Sequence, residues 1–250
     1  MSRSATAQHR VVECMGTVFS FDVRPPGLDD VAIDDAIRWL HWVDSIFSTY
    51  RPDSDISRLG RGECTLGDCP PEVAEVLDAG ARLASETDGY FSMYPAGVLE
   101  PSGLVKGWAI ERASDLLVAA GSTSHCVNGG GDVQCVGDVS DGQPWRIGIA
   151  HPLQAGELAG VVIGSGVAVA TSGTAERGAH VLDPHTGRPP DEFASITLVG
   201  RRLGVTDAYA TAAFAMGSAA RAWVEDLPDH QAFAVCCDGT TWSTSGWAAA

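Results

Sequence analysis

Apolar residues recur at three- and four-residue steps between positions 28 and 47: Ala32, Ile33, Ala36, Ile37, Leu40, Val43, Ile46 and Phe47. That spacing gathers them on one face and predicts an amphipathic helix over 28–47. Ahead of it, residues 10–24 alternate between apolar and polar, as two strands or one bent strand do, with the break at Met15-Gly16-Thr17. Behind it comes a polar segment, FSTYRPDSDISRL, carrying Pro52 and a helix cap at Ser54 or Asp55. Pro70-Pro71 opens a helix over 72–86 that stops at Thr87-Asp88-Gly89. A turn-rich piece, YFSMYPAGVLEPSG, leads into a third helix over 104–120, closed by Gly121.

The second half changes period. HCVNGGGDVQCVG, PWRIGIAHP, LAGVVIG, GVAVATSG, SITLVG and FAVCCDG are short β-rich runs separated by Gly, Pro and Asp. Residues 205–217, VTDAYATAAFAMG, read instead as an Ala-rich helix with Thr206 or Asp207 placed to cap its start. Helices cluster in one half, strands dominate the other, and no linker-like tract divides them. The expectation is one α+β domain over 1–250, a mainly antiparallel sheet with helices packed against it, and residues 1–9 disordered. There is no β-α-β-α alternation and no G-x-G-x-x-G after the first strand, which argues against a Rossmann fold.

Charge narrows the partners. The chain has 16 basic and 32 acidic residues, a net charge of −16. Nucleic acid and anionic lipid both need clustered positive charge, so neither is expected as a partner. A phosphate-bearing ligand would need a local cation. The seven cysteines form no CxxC pair and their number is odd, so neither a zinc site nor a disulfide framework is implied. Cys236-Cys237, in FAVCC, reads as packing. No stretch has the length of a membrane span and the first residues hold no apolar core of a signal peptide. A soluble, cytoplasmic protein without a membrane anchor is expected.

Asp207 and Thr211 lie four residues apart, hence one turn above each other on a helix. A carboxylate and a hydroxyl so stacked supply the hard oxygens that Mg²⁺ accepts. A helix cap at Asp207, and a Thr211 hydroxyl bonded back to its own i−4 carbonyl, are the plainer explanations. Lys106 is the only lysine, near a helix start, where backbone N–H groups favour anions. Its ammonium suits a phosphate or cofactor contact, although a solvated surface position also accounts for it. Asn128 to Asp132, NGGGD, either lets a ligand approach the backbone or forms a tight hairpin. Residues 171–190 form a long loop carrying Ser172-Gly173, Arg177, His180 and Asp183. His180 is either a core histidine or a proton-transfer group. No G-x-S-x-G, HExxH or Walker A run is present. Carboxylate, hydroxyl, one lysine and Gly-rich loops suit metal-assisted phosphate chemistry.

Seven motifs, in this order, resemble the ApbE family of FAD:protein FMN transferases: MGT (15–17), FSTYRPDSDISRL (47–59), GLVKGWAIERA (103–113), VNGGGD (127–132), WRIGIAHP (145–152), ATSGTAERGAHVLDPHTGRPP (170–190) and TDAYATAAFAMG (206–217). The resemblance implies an enzyme that binds FAD and Mg²⁺ and passes FMN to a Thr or Ser hydroxyl of an acceptor protein, releasing AMP. Some members instead hydrolyse FAD to FMN and AMP, and a flavin-binding protein without catalysis is a third reading. It further implies metal ligands at Asp207, Thr211 and the Gly103 carbonyl. FAD contacts carry over to Met15, Tyr50, Tyr90, Phe91, Ser92, Glu100, Lys106 and Leu182, and catalytic roles to Glu100, His180 and Lys106. Two positions depart from the family's pattern: Glu100 replaces a usual Asp, and Ser92 replaces the Asp of F-D-x-T.

Overall fold

The computed structural model describes residues 7–24, 28–174 and 181–247. Strands β1 (Gln8–Cys14) and β2 (Thr17–Val23) form a hairpin whose turn, Met15-Gly16, has positive φ at both positions (50° and 69°). This is the break anticipated at Met15-Gly16-Thr17. Strand β1 starts at Gln8, inside the segment expected to be disordered. Helix α1 (Asp30–Phe47) begins two residues later than predicted because the Asp29 side chain accepts from the Val31 N–H at 3.3 Å. The short α2 (Asp55–Gly60) is capped by Ser54, whose hydroxyl accepts from Ser57 N–H at 3.1 Å. Helices α3 (Pro71–Glu86) and α4 (Ser102–Ala119) follow.

The remaining elements are β3 (His125–Gly129), β4 (Asp132–Val136), β5 (Trp145–Ala150), β6 (Leu158–Gly164), β7 (Ala168–Gly173), β8 (Phe193–Gly200), α5 (Leu203–Met216), α6 (Ala220–Glu225), β9 (Gln231–Cys236) and β10 (Thr241–Ser243). Eight strands form one antiparallel sheet in the order β1-β2-β3-β4-β7-β8-β9-β10, and β5–β6 form a separate antiparallel pair. The expected α+β domain with a mainly antiparallel sheet is what the chain adopts.

Side-chain alternation sends the middle of the sheet into two cores. From β7, Ala168 and Ala170 join the helices α1, α4 and α5 on one face. Val169, between them, joins Val133, Cys135, Trp145, Ile149 and Val162 on the other. The sheet therefore carries helices on one side and the β5–β6 hairpin on the other. Among the described residues, no helix is long and apolar enough to cross a membrane.

Helix α5 is the central element, packed against α4, β4, β7 and β8. Its start corrects the expected cap. Thr206 and Asp207 lie inside the helix and are buried, and the N-cap position, Arg202, makes no side-chain cap. The free amides are satisfied from elsewhere in the fold: Leu203 N–H donates to Gln134 Oε1 and Gly204 N–H to Glu111 Oε2, both at 3.0 Å. Asp207 is thereby released from capping. A second correction concerns Cys237, which is exposed rather than packed.

Candidate active site

A cavity of about 370 Å³ opens where the sheet ends, reaching from the helix face round to the hairpin face. Its helical wall carries Gly103 and Lys106 from α4 and Asp207 and Thr211 from α5. The sheet contributes Thr17, the Gly130-Gly131 turn, Thr171 to Gly173 and Ser195, and β5 with the residues after it contributes Ile147 to Pro152. Tyr90, Phe91, Ser92, Glu100 and Leu182 line the remainder.

The α4–α5 crossing sets the geometry of the helical wall. Gly107 N–H donates to Asp207 Oδ2 at 3.1 Å. A methyl group on Gly107 would lie 2.7 Å from Asp207 Cβ and 2.8 Å from the Leu203 carbonyl oxygen, so the two helices meet only because glycine stands there. Asp207 is 4% exposed. Lys106 Nζ lies 3.4 Å from Asp207 Oδ2 and pairs directly with Asp132 Oδ2. Asp132 is itself buried, and its Oδ1 accepts from Thr171 N–H at 3.0 Å. A cation between two buried carboxylates offsets a desolvation cost that neither could meet alone. Thr211 Oγ1 lies 3.4 Å from Ser172 Oγ. Gly103 backs onto Thr211, since a methyl there would come 3.7 Å from Thr211 Oγ1.

On the opposite side Glu100 is held at both oxygens. Thr49 Oγ1 donates to Oε2 at 2.8 Å, Ser102 N–H donates to Oε1 at 3.2 Å, and the Ser102 hydroxyl also contacts Oε1. The Tyr90 ring meets His185 edge-on, with centroids 4.5 Å apart. His185 sits on a turn organised by Asp183. Burial raises the Asp183 carboxyl, but donation from His185 N–H and the Thr186 hydroxyl, each at 2.9 Å, leaves it below its usual value.

Of the residues expected at the site, Tyr90, Phe91, Ser92, Glu100, Gly103, Lys106, Leu182, Asp207 and Thr211 share this one cavity. Tyr50 does not line it and is 93% exposed. Met15 sits in the β1–β2 turn with a positive φ, half-buried against the helix-side core and outside the lining. His180 and Arg177 lie outside the described residues. Three contributions carry no role in the sequence analysis: Asp132 as the partner of Lys106, the β5 wall, and Ser195. For two of them a signal existed, since Asp132 closes the NGGGD run and β5 lies in the WRIGIAHP motif, but neither motif says which side chains face a ligand.

A divalent ion fits the helical wall by donor chemistry. Asp207, Thr211 and the Gly103 backbone offer a carboxylate, a hydroxyl and a carbonyl, all hard oxygens. Among the described residues no group of three or more His, Cys, Asp or Glu side chains could hold a metal. Among the described residues, an ion here would rest on this mixed oxygen set.

The fold is shared with solved structures. The ApbE protein of Thermotoga maritima matches with a TM-score of 0.84 at 21% identity, over 96% of this chain and 97% of that one. The flavin transferase ApbE of Vibrio cholerae matches with a TM-score of 0.82 at 22% identity, over 97% and 98%. The ApbE family model covers residues 15–100 and 94–234. This chain belongs to the ApbE family. A Vibrio cholerae relative called FAD:protein FMN transferase is 32% identical across 81% of this chain and 79% of its own length. A Rhodobacter capsulatus relative of the same name is 29% identical across 76% of this chain, which spans only 35% of that protein.

Proposed function

We propose that this protein is an enzyme that transfers FMN from FAD to a Thr or Ser hydroxyl of an acceptor protein, with Mg²⁺ as cofactor and AMP as leaving group. One observation carries the reading: Asp207 and Thr211, one helical turn apart, face the same cavity as Lys106 and Glu100. The shared name of the curated relatives supports the flavin substrate and the protein acceptor. In a chain of net charge −16, a diphosphate needs a built cationic spot, and Lys106 supplies one.

In this reading Asp207, Thr211 and the Gly103 carbonyl would hold Mg²⁺, which when bound would supply positive charge to offset that of a diphosphate. Lys106, anchored by Asp132, adds a fixed positive charge beside it. Glu100 takes the proton of the acceptor hydroxyl, whose oxygen bonds to the FMN phosphorus while the diphosphate bridge breaks and AMP departs. Thr49 and Ser102 hold that carboxylate in place. Phe91 and the β5 wall exclude water around the flavin nucleotide. Were water to take the place of the acceptor hydroxyl, the products would be free FMN and AMP.

Incubation with FAD, Mg²⁺ and a Thr-containing acceptor domain tests this. Flavin fluorescence that stays with the acceptor in a denaturing gel, together with AMP, is the expected result, and EDTA abolishes both. Free FMN with unlabelled acceptor would replace the transferase reading by hydrolysis; intact FAD would overturn catalysis altogether.

A further inference from the structure

The seven cysteines are all free thiols, and they present three neighbouring pairs of very different character. Cys126 and Cys135 face each other across β3–β4. The Cys135 amide donates away from β3, to Val167 O at 2.8 Å, so this is a non-hydrogen-bonded pair with its side chains close together. Cys135 is completely buried under the hairpin, however, and no oxidant in solution reaches it. Cys236 and Cys237 are consecutive at the end of β9, where successive side chains point to opposite faces.

Cys64 and Cys69 differ from both. Their sulfurs lie 4.0 Å apart and both residues are partly exposed. The turn between them is braced from within. Thr65 donates to Asp68 Oδ2 from its N–H at 2.9 Å and its hydroxyl at 2.7 Å. Asp68 N–H returns to Thr65 O at 3.0 Å and Cys69 N–H reaches Leu66 O at 3.2 Å. The six-residue loop is therefore closed before any bond forms, so little chain entropy remains to be lost on bridging. A disulfide brings the sulfurs to about 2.05 Å, and this pair starts from van der Waals contact.

We propose that Cys64 and Cys69 form a reversible thiol–disulfide modification site, oxidised by a low-molecular-weight disulfide such as glutathione disulfide. The Cys64 thiolate attacks one glutathione sulfur, the S–S bond breaks, and glutathione leaves as thiolate to take up the released proton. Cys69 then gives up its proton and attacks the Cys64 sulfur of the mixed disulfide, expelling a second glutathione. Two protein thiols are oxidised and one glutathione disulfide is reduced to two thiols. The order follows from Cys69, whose thiol donates to the Thr65 carbonyl oxygen at 3.5 Å and is raised by burial, so it is held as the thiol and is the slower first attacker.

The full-length protein, treated with glutathione disulfide, alkylated and digested, gives the test. The expected product is a Cys64–Cys69 cross-link, lighter by two hydrogen atoms and protected from alkylation, that appears before any other and disappears with dithiothreitol. In Cys69→Ser the mixed glutathione disulfide on Cys64 should accumulate instead, because nothing resolves it. Three results would overturn the site: both thiols still fully alkylatable, a mixed disulfide persisting in the unaltered protein, or a cross-link forming first at Cys126–Cys135.

Discussion

Gly107 and Asp207 are joined by a 3.1 Å hydrogen bond from the glycine amide to Oδ2, across a helix crossing with no room for a methyl group. The bond helps orient a buried carboxylate whose same oxygen lies 3.4 Å from Lys106 Nζ. Gly107→Ala should therefore do two things. It should lower stability by about 1–3 kcal/mol, the usual cost of overpacking a close contact. It should also displace Asp207 and weaken Mg²⁺-dependent AMP release. Urea denaturation and an AMP assay check the two effects separately; an alanine variant with an unchanged midpoint would show that the crossing relaxes freely.

Asp207→Asn keeps the size and the acceptor for Gly107 N–H while removing the charge. If the oxygen set holds the metal, turnover at saturating FAD should fall by about 10²-fold or more, consistent with loss of a principal charge stabiliser. Thr211→Val should raise the Mg²⁺ concentration needed for half-maximal rate. Thr211→Ser should restore it, because only the hydroxyl is required. Full activity in Asp207→Asn at low Mg²⁺ would remove α5 from the metal site.

Much of this was legible in sequence, and the failures have physical causes. Periodicity located α1, which buries one regular face; Pro70-Pro71 and Thr87-Asp88-Gly89 bracketed α3, and β-rich runs between Gly, Pro and Asp marked most of the strands. Ser54 was recognisable as a cap because its partner, Ser57, is three residues away. The start of α5 was not, because its amides are answered from 69 and 93 residues away, by Gln134 and Glu111. No local pattern encodes such a partner. For the same reason a cap is the plainer reading of Asp207 from sequence, although the helix begins at Leu203 and leaves Asp207 inside it. Lys106 was singled out by rarity, yet its buried partner Asp132 was read only as part of a glycine turn.

Glu111 makes a further prediction. Its Oε2 accepts from Gly204 N–H at 3.0 Å and its Oε1 from the Arg202 guanidinium at 2.5 Å, so one side chain ties α4 to the start of α5. Glu111→Ala should destabilise the fold by about 1–3 kcal/mol by leaving a buried amide unpaired. Glu111→Gln should lose less, since its amide oxygen can still accept from Gly204. Chemical denaturation compares them, and equal losses would mean that charge, not capping, is what matters there.

His125 gives the chain a built-in sensitivity to acid. It is fully buried on β3, with Nε2 2.7 Å from Ser114 Oγ and Nδ1 2.9 Å from Ser122 Oγ. Burial lowers its pKa from 6.5 to about 4, since the charged ring would have to leave water. At pH 7 the ring is neutral both folded and unfolded. Between pH 6.5 and about 4 the unfolded chain binds a proton that the folded chain refuses, so stability falls as the pH is lowered. At about 1.4 kcal/mol per pKa unit the whole window is worth roughly 3–4 kcal/mol. His125→Gln cannot titrate, so its stability should vary less steeply across that window, by up to one proton in slope, even if it is less stable at pH 7. Measuring unfolding free energy against pH for both proteins isolates this group from the carboxylates they share. Parallel curves between pH 4 and 6.5 would show that the ring takes up its proton inside the folded protein.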